Sequence, residues 1–358
     1  MNRINPRKGL HVTLMSTPTL RDLARLAGVS ATTVSKALRN HPKVSDGRRA
    51  EILALAERHG YRRNPALSAW MRHVRNIRHP EAGETLAYVT TQPLAETLRA
   101  RNTWAHRYHT GAQTLAGRLG YRCATFALGD YAGDWEQLFR VLHHRGVRGV
   151  AIGPLAGHPP PPFLDARFSL ASIESLAPEA PVDWVATDHY SGMLMALSAA
   201  QRHGHRRMGY IRSALATPEH ERWRAAFALH QADAPAADRV PMLAVPCSSP
   251  SADQVRVWWR RHRPTVIISS DNNMPALLRR SKIAIPGDVA FIALDQASTG
   301  NAIAGVEQHM EEVGAALIRL LAMKLELNET GPVATPRSLL VQPKWVDGRS
   351  LVFRRAEE

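Results

Sequence analysis

The amino-acid sequence predicts a small all-α domain at the N-terminus, followed by a larger α/β body of two doubly wound parallel-sheet subdomains. Residues 18–63 place apolar residues at helical spacing around a central glycine. From residue 84 onward, short apolar runs typical of strands alternate with helical patterns. The chain has 358 residues, which is enough for two or three compact units.

The charge of the chain is concentrated near its N-terminus. Residues 1–79 hold 16 Lys or Arg and 4 Asp or Glu, a net charge of +12, whereas the whole chain carries +15. A basic segment attached to a nearly neutral body is typical of a module that binds a polyanion, although a solvated basic face is the alternative.

Other broad classes of protein do not fit the composition. No run of eighteen apolar residues predicts a membrane span, and the N-terminus lacks the pattern of a secretory signal. Cys123 and Cys247 lie far apart and have no metal-type spacing, which indicates free thiols in a reducing cytoplasm.

The first predicted helix begins at Leu20, with Thr19 as its cap. Gly28 follows this helix and suits a left-handed turn. Ser30 then caps a second helix, and a third begins near Asp46. The apolar residues at helical spacing in the three helices are Leu20, Leu23, Ala24, Ala27, Val34, Ala37, Leu38, Ile52, Leu53 and Ala56, and Ser45 is the expected cap of the third helix.

Helix, tight turn and helix in this order predict a helix-turn-helix, whose second helix reads the DNA major groove. Its outer face carries Ala31, Thr32, Ser35 and Lys36, where large side chains would hold the helix away from the bases. Lys36 can donate to guanine, and the hydroxyls of this helix suit phosphates. A plain three-helix bundle explains the aliphatic residues but not this polar face.

The segments TLRDLARLAGVSATTVSKALRN and VSDGRRAEILALAERHGYRRNP resemble the DNA-binding domain of the lac repressor/galactose repressor family. The resemblance implies that Ala31, Thr32 and Lys36 face bases. It also implies phosphate contacts by Thr19, Ser30, Thr33, Ser35 and Tyr61. Residues 1–17 are then an N-terminal extension, which we expect to be disordered.

Residues 64–83 are expected to form a hinge helix and linker. Asn64 can cap this short basic segment and Pro65 fits its first position, but the helix alone is marginal. In the resembling family the hinge folds on operator DNA and inserts an apolar wedge, usually leucine, into the minor groove. The corresponding residues here are Leu67, Trp70 and Met71. Trp70 or Met71 could be the wedge, and the alternative is that Trp70 packs on the body.

Repeated strand and helix patterns from residue 84 to 345 predict parallel sheets covered by helices on both faces. About 250 residues with so many strands favour two subdomains over one sheet. Strands are predicted at TLAYVTT, RCATFAL, VRGVAIGPL, ASIES, DWVATD, RRMGYIRS, PTVIISSD and VAFIALD. Helices are predicted at HRYHTGAQTLAGRLGY, DWEQLFRVLHHRG, HYSGMLMALSAAQRHGH, PEHERWRAAFALHQAD, NNMPALLRRSK and HMEEVGAALIRLLAMKLE.

The body resembles the same family through GHRRMGYI, IPGDVAFIALD and VEQHMEEVGAALIRLL. The resemblance implies a periplasmic-binding-protein-like (type I) body at 84–345, which binds an effector between its subdomains and dimerises. It also implies that the chain crosses between the subdomains near 188, 308 and 337, and it leaves 346–358 as a C-terminal tail.

Ligands of such sheets lie at the carboxyl ends of the strands. Asp271, Asn272 and Asp295 follow predicted strands and fall there without any family argument. At the position where the family often has an arginine, this chain has Trp223, flanked by Arg222, and a stacking aromatic ring suits a sugar or a base. The alternatives are that Trp223 packs between the subdomains and that Asp295 fixes the loop after it.

The function expected from these features is sequence-specific transcriptional regulation, as a repressor controlled by a small-molecule effector such as a sugar. The expected partners are a pseudo-palindromic double-stranded operator, the effector and a second copy of the chain, with no membrane, metal or cofactor. One alternative is an enzyme, but no glycine-rich phosphate loop or nucleophile elbow is present. The other is a ligand-independent architectural DNA-binding protein, which would not need so large a body. The pairs His143-His144 and His203-x-His205 lack further metal ligands at suitable spacing.

Overall fold

A computed structural model describes residues 18–38, 44–61, 84–91, 103–162, 164–176, 180–212, 220–245, 250–296 and 302–353. The chain forms two compact units, residues 1–74 and 75–358. The predicted N-terminal extension, the hinge at 64–83 and its residues Leu67, Trp70 and Met71 lie outside the described residues.

The smaller unit contains three helices, α1 (Leu20–Leu26), α2 (Ala31–Ala37) and α3 (Asp46–Arg58). Their buried aliphatic faces meet in one small core around Leu23, Val34 and Ile52. The all-α fold predicted for this part is confirmed. Ser45 occupies the cap position of α3, but its side chain makes no capping hydrogen bond.

The first subdomain of the larger unit is built on a six-stranded sheet with the order β10-β5-β4-β3-β1-β2, in which all described pairings are parallel. Its strands are β1 (Thr85–Thr90), β2 (Arg122–Ala127), β3 (Gly149–Ile152), β4 (Ser169–Ile173), β5 (Asp183–Thr187) and β10 (Ser338–Val341). The helices are α4 (Trp104–Arg118), α5 (Trp135–His144) and α10 (Met310–Leu327), with a short 3-10 helix at Leu128–Tyr131. Helices α4 and α10 pack with β1, β3, β4 and β5 in one core, and α5 packs in a second.

The second subdomain has a five-stranded sheet with the order β11-β9-β8-β7-β6. Its strands are β6 (Met208–Ile211), β7 (Val266–Ser269), β8 (Ala290–Ala293), β9 (Ala304–Glu307) and β11 (Lys344–Val346). Strands β6 to β9 are parallel, and β11 pairs antiparallel with β9 at the edge. Its helices are α6 (His189–Arg202), α7 (His220–Asp233), α8 (Ala252–His262) and α9 (Met274–Arg280), with a short 3-10 helix at Ala236–Asp238.

The chain passes between the two sheets three times. The first passage follows Thr187 at the end of β5, and the second follows Glu307 at the end of β9. The third falls between Val341 and Lys344, a few residues after the expected position near 337, because β10 first completes the edge of the first sheet. Two hydrogen bonds tie the passages together: Thr187 Oγ1 donates to Gln308 O at 2.8 Å, and Gln342 Nε2 donates to Asp188 Oδ2 at 3.1 Å.

Residues 346–351, expected to begin a tail, instead belong to the second subdomain. Ser350 Oγ donates to Phe291 O at 2.7 Å and accepts from Ala304 N at 2.8 Å, which joins β8 to the start of β9. Leu351 is buried in the core beside these strands. The segment therefore holds two strands of the sheet together.

The fold class predicted for the body is confirmed, and the differences concern single elements. Helix α8 was not predicted, and neither were β9, β10 and β11. Strand β10 has a short apolar run, Leu339 to Val341, but it lies at the edge of its sheet and all its residues are exposed or half-buried. Strand β11 has only three residues, and its pairing depends on a distant segment.

Candidate nucleic-acid interface and ligand cleft

Local hydrogen bonds cap the N-termini of both α1 and α2. The Thr19 hydroxyl caps α1: it accepts from Asp22 N at 3.3 Å, and Asp22 Oδ2 accepts from Thr19 N at 2.9 Å. The side-chain hydrogen bond and then the backbone hydrogen bond from Thr19 lower the pKa of the exposed Asp22. Gly28 has a φ of +63°, a left-handed conformation that a residue with a Cβ rarely adopts.

The start of α2 carries two linked hydroxyls. Ser30 Oγ accepts from Thr33 N at 3.1 Å and lies 2.9 Å from Thr33 Oγ1. This arrangement fixes the rotamers of Ser30 and Thr33 and orients the first turn of α2. Both side chains were predicted as phosphate contacts.

The other predicted DNA contacts differ in exposure. Thr32 is exposed, and Lys36, one helical turn later on the same face, is half-buried. Lys36 has no ion pair within the described part of the chain. Ala31 and Tyr61 are half-buried and pack against the core of this unit, and Ser35 is half-buried. Thr32 and Lys36 therefore project furthest from the core among the predicted base-reading residues.

The body contains a cavity of about 250 Å³ between its two subdomains. Four of the five predicted effector residues line it: Trp223, Asp271, Asn272 and Asp295. Arg222 does not, because its guanidinium lies 5.0 Å from the centre of the Trp184 ring on β5. The remaining lining residues are Trp104, Tyr108, Pro154, Ala156, Glu174, His189, His220, Ser270, Asn273, Gln308 and Met310.

Three aromatic rings form one wall of the cleft. The Trp223 ring lies 4.2 Å from the His189 ring and 4.8 Å from the His220 ring, with interplanar angles of 28° and 8°. Burial lowers the pKa of His189 to about 3, and the neighbouring His220 and Arg222 add to this effect. The His189 imidazole is therefore neutral at physiological pH. Trp223 Nε1 and His189 Nδ1 are buried and have no hydrogen-bond partner among the described residues.

Carboxylate and phenol oxygens also line the cleft. Asp295 is buried, and Glu174 is half-buried with a left-handed φ of +65°. Burial raises the pKa of Tyr108 well above its ordinary value, and the charges of Glu174 and Asp295 raise it further. Both carboxyl groups therefore lie close enough to Tyr108 to act on its phenol.

Gln308 lies at the second passage and also lines the cleft. Its side chain is 1% exposed; Nε2 donates to Leu294 O, and Oε1 has no partner among the described residues. The Gln308 amide oxygen is therefore an acceptor among the lining residues of the cleft. The sequence predictions missed Gln308 and His189, although both lie next to predicted passages.

The lining residues together can bind a compact polar molecule. The described lining residues offer flat ring faces, an indole N–H donor, an amide acceptor and carboxylate oxygens, and include no lysine or arginine. In the described part of the chain, no group of three or more His, Cys, Asp or Glu is arranged to hold a metal ion. No helix among the described residues is both long and apolar enough to cross a membrane.

Comparison with known proteins gives two family matches. Residues 19–64 match the bacterial regulatory proteins of the lacI family, and residues 199–351 match the periplasmic binding protein-like domain. The HTH-type transcriptional regulator GalR of Salmonella typhimurium (strain LT2) is 26% identical over 293 residues, which cover 77% of this chain and 79% of GalR. GalR of Escherichia coli (strain K12) is 24% identical over 290 residues, with the same coverage.

Solved structures share the fold over most of the chain. A complex of the transcriptional regulator CelR with cellobiose has a TM-score of 0.53 at 21% identity and covers 93% of this chain and 99% of CelR. The lac repressor dimer bound to operator and the anti-inducer ONPF has a TM-score of 0.55 at 16% identity, covering 94% of this chain and 99% of the repressor.

Proposed function

We propose that this chain, whose residues 19–64 match the lacI family of bacterial regulatory proteins, is an operator-binding repressor whose DNA affinity is set by a saccharide in the cleft. The single observation that carries the proposal is that one chain combines a polar, cationic helix face with a cleft in which Trp223 Nε1 and Gln308 Oε1 are buried and have no partner among the described residues. We propose that the protein regulates transcription without catalysis, cofactor or metal.

The DNA interface is α2 and the residues around it. Thr32 and Lys36 face bases in the major groove, with Ala31 close enough to contact a thymine methyl group. The hydroxyls of Thr19, Ser30, Thr33, Ser35 and Tyr61 contact phosphates and set the register of the helix. The excess of 16 basic over 4 acidic residues in 1–79 supports this assignment.

Changing Lys36 to Ala is expected to relax base preference at one operator position, at a cost of about 1–3 kcal/mol in discrimination. The measurement is a selection from randomised DNA at moderate salt with full-length wild type and variant. Arg58→Gln, an exposed residue in the last turn of α3, removes one charge elsewhere and is the control. This variant should bind all DNA sequences slightly more weakly and leave the selected motif intact. An unchanged motif for Lys36→Ala would remove Lys36 from the base-reading set.

The ligand proposed for the cleft is a neutral saccharide. Trp223 gives the ring face on which a sugar can stack, and Gln308 Oε1 and the Asp295 carboxylate accept from hydroxyls. The absence of lysine and arginine from the described lining residues favours a neutral sugar over a sugar acid or a sugar phosphate. The cellobiose bound by CelR, a protein of similar fold, supports the same class of ligand.

Asp295→Asn is expected to abolish the saccharide response and to leave operator binding unchanged, because an amide cannot accept two hydroxyl hydrogen bonds through both of its polar atoms. A thermal-shift screen of the full chain against neutral sugars, cellobiose included, identifies the ligand. A sugar at a hundredfold its dissociation constant adds about 2.7 kcal/mol.

Calorimetry of each variant then measures the affinity for the sugar identified by the screen. Asp253→Asn, at an exposed site on α8 paired with Arg256, is the matched control and should bind as wild type does. Arg222→Ala should also retain the affinity, because its side chain lies outside the cleft. Wild-type affinity in Asp295→Asn would exclude Asp295 from the site.

The assembly proposed is a homodimer in the cytoplasm, at the nucleoid. Two copies place two α2 helices on the half-sites of a pseudo-palindromic operator. The selection experiment tests the whole proposal: full-length protein that enriches no sequence, with or without sugars, would overturn it.

A further inference from the structure

Helices α4 and α10 of the first subdomain cross with their backbones in contact. A Cβ atom at Gly111 would lie 1.8 Å from the carbonyl oxygen of Glu311, and one at Gly314 would lie 2.0 Å from that of Tyr108. Only glycine permits such an approach, so no side chain separates the helices at this point. The position of α4 is therefore linked directly to the start of α10.

Arg107 lies on α4 between two residues of the cleft wall, Trp104 and Tyr108, and is 8% exposed. Its Nε donates to Glu311 Oε1 at 2.8 Å, and its Nη2 donates to Glu311 Oε2 at 2.6 Å and to Glu307 Oε1 at 2.6 Å. Burial acts to lower the pKa of the Arg107 guanidinium, but the two carboxylates outweigh burial and raise it. Arg107 is a permanent cation held between two anions.

The two carboxylates belong to different subdomains. Glu307 is the last residue of β9 in the second sheet, whereas Glu311 lies in the first turn of α10 in the first subdomain. Between them the chain makes its second passage through Gln308 and His309, whose φ is +53°. His309 N also donates to Glu307 Oε1, at 3.0 Å. The guanidinium thus bridges the point at which one subdomain would turn against the other.

We propose that Arg107 is a positioning residue that sets the angle between the two subdomains by clamping Glu307 to Glu311 across the passage. The regulatory part of this inference rests on the proposed function. The clamp stabilises one arrangement of the subdomains relative to any other in which β9 moves away from α4. Since Gln308 follows Glu307 directly, the same clamp fixes a cleft residue. Loss of the clamp changes the operator affinity of the full chain, although none of the proposed DNA-contacting residues is altered.

The test compares full-length Arg107→Gln, Glu307→Gln and the double variant in binding to the operator recovered by selection. Each single variant should change the operator dissociation constant at least fivefold, a typical lower limit for coupled sites, and in the same direction. The double variant should match the singles, because both remove the same link.

Arg148→Gln is the control, since it breaks the 2.9 Å pair of Arg148 with Glu84, which lies wholly within the first subdomain. Operator affinity within twofold of wild type in both Arg107→Gln and Glu307→Gln, or an equal change in the control, overturns the proposal. Amide hydrogen exchange of residues 303–312 tests the clamp without DNA, so it remains decisive even if no operator is found. Exchange should accelerate in the Arg107 and Glu307 variants alone, and unaltered exchange also overturns the proposal.

Discussion

Asp183→Ala is expected to lower the free energy of unfolding of the body by about 3–5 kcal/mol, because it leaves a buried cation without its partner. Lys324 Nζ donates to Asp183 Oδ2 at 2.8 Å, and the two side chains are 1% and 0% exposed. Arg337 Nη2 donates to the same oxygen at 2.6 Å. Lys324 lies 3.7 Å from Glu329, too far for a hydrogen bond to replace the lost one.

Chemical denaturation of the body measures this loss. Glu312→Gln, which breaks an exposed ion pair with Arg319, should lower the free energy of unfolding by no more than about 1 kcal/mol. The double variant Asp183→Leu with Lys324→Met should recover most of the loss, since it removes both charges together. A loss as small as that of Glu312→Gln would show that Lys324 finds another partner.

The same carboxyl group makes the stability of the body depend on pH. Burial tends to raise the pKa of Asp183, but the hydrogen bonds from Arg337 and Lys324 outweigh it and hold the pKa at about 2. An unfolded aspartate titrates near 3.9, so the stabilisation is complete above about pH 5 and is lost as the pH falls towards 2. Asp183→Ala should flatten this acid limb of the stability curve, and an equally steep limb would contradict the assignment.

Gly111→Ala is expected to force α4 and α10 apart and to cost about 1–3 kcal/mol or more. The added Cβ would meet the backbone of Glu311, which cannot rotate away as a flexible side chain can. Gly117 lies on the same helix, and a Cβ added there would have no atom within 4 Å, so Gly117→Ala is the matched control. The control should stabilise the body by about 0.5–1 kcal/mol through helix propensity. Thermal unfolding measures both variants, and equal effects would mean that the helices can separate freely.

The helix-turn-helix could be predicted in detail because its signals are local. Thr19, Gly28 and Ser30 mark a cap, a turn and a second cap within twelve residues, and each makes the contact or adopts the conformation that its residue type favours. The strands β10 and β11 are only four and three residues long, and they depend instead on pairing with distant segments.

The cleft residues that could be predicted from the sequence are those that follow predicted strands. Asp271, Asn272 and Asp295 follow strands, and the carboxyl ends of parallel strands meet at one edge. Arg222 was expected beside Trp223, but adjacent residues on a helix point about 100° apart, and Arg222 reaches Trp184 instead. His189 and Gln308 also lie just after the carboxyl ends of strands, β5 and β9, but β9 was not predicted and His189 was placed in the helix that follows β5.

The return of the chain to both sheets after α10 has a consequence for biosynthesis. Neither sheet has all its strands until residues 338–346 have left the ribosome, since β10 closes one edge and β11 the other. The three N-terminal helices need no later residue for their own core and can fold early in translation. A nascent chain therefore carries a folded three-helix unit for most of the time during which the body is still incomplete.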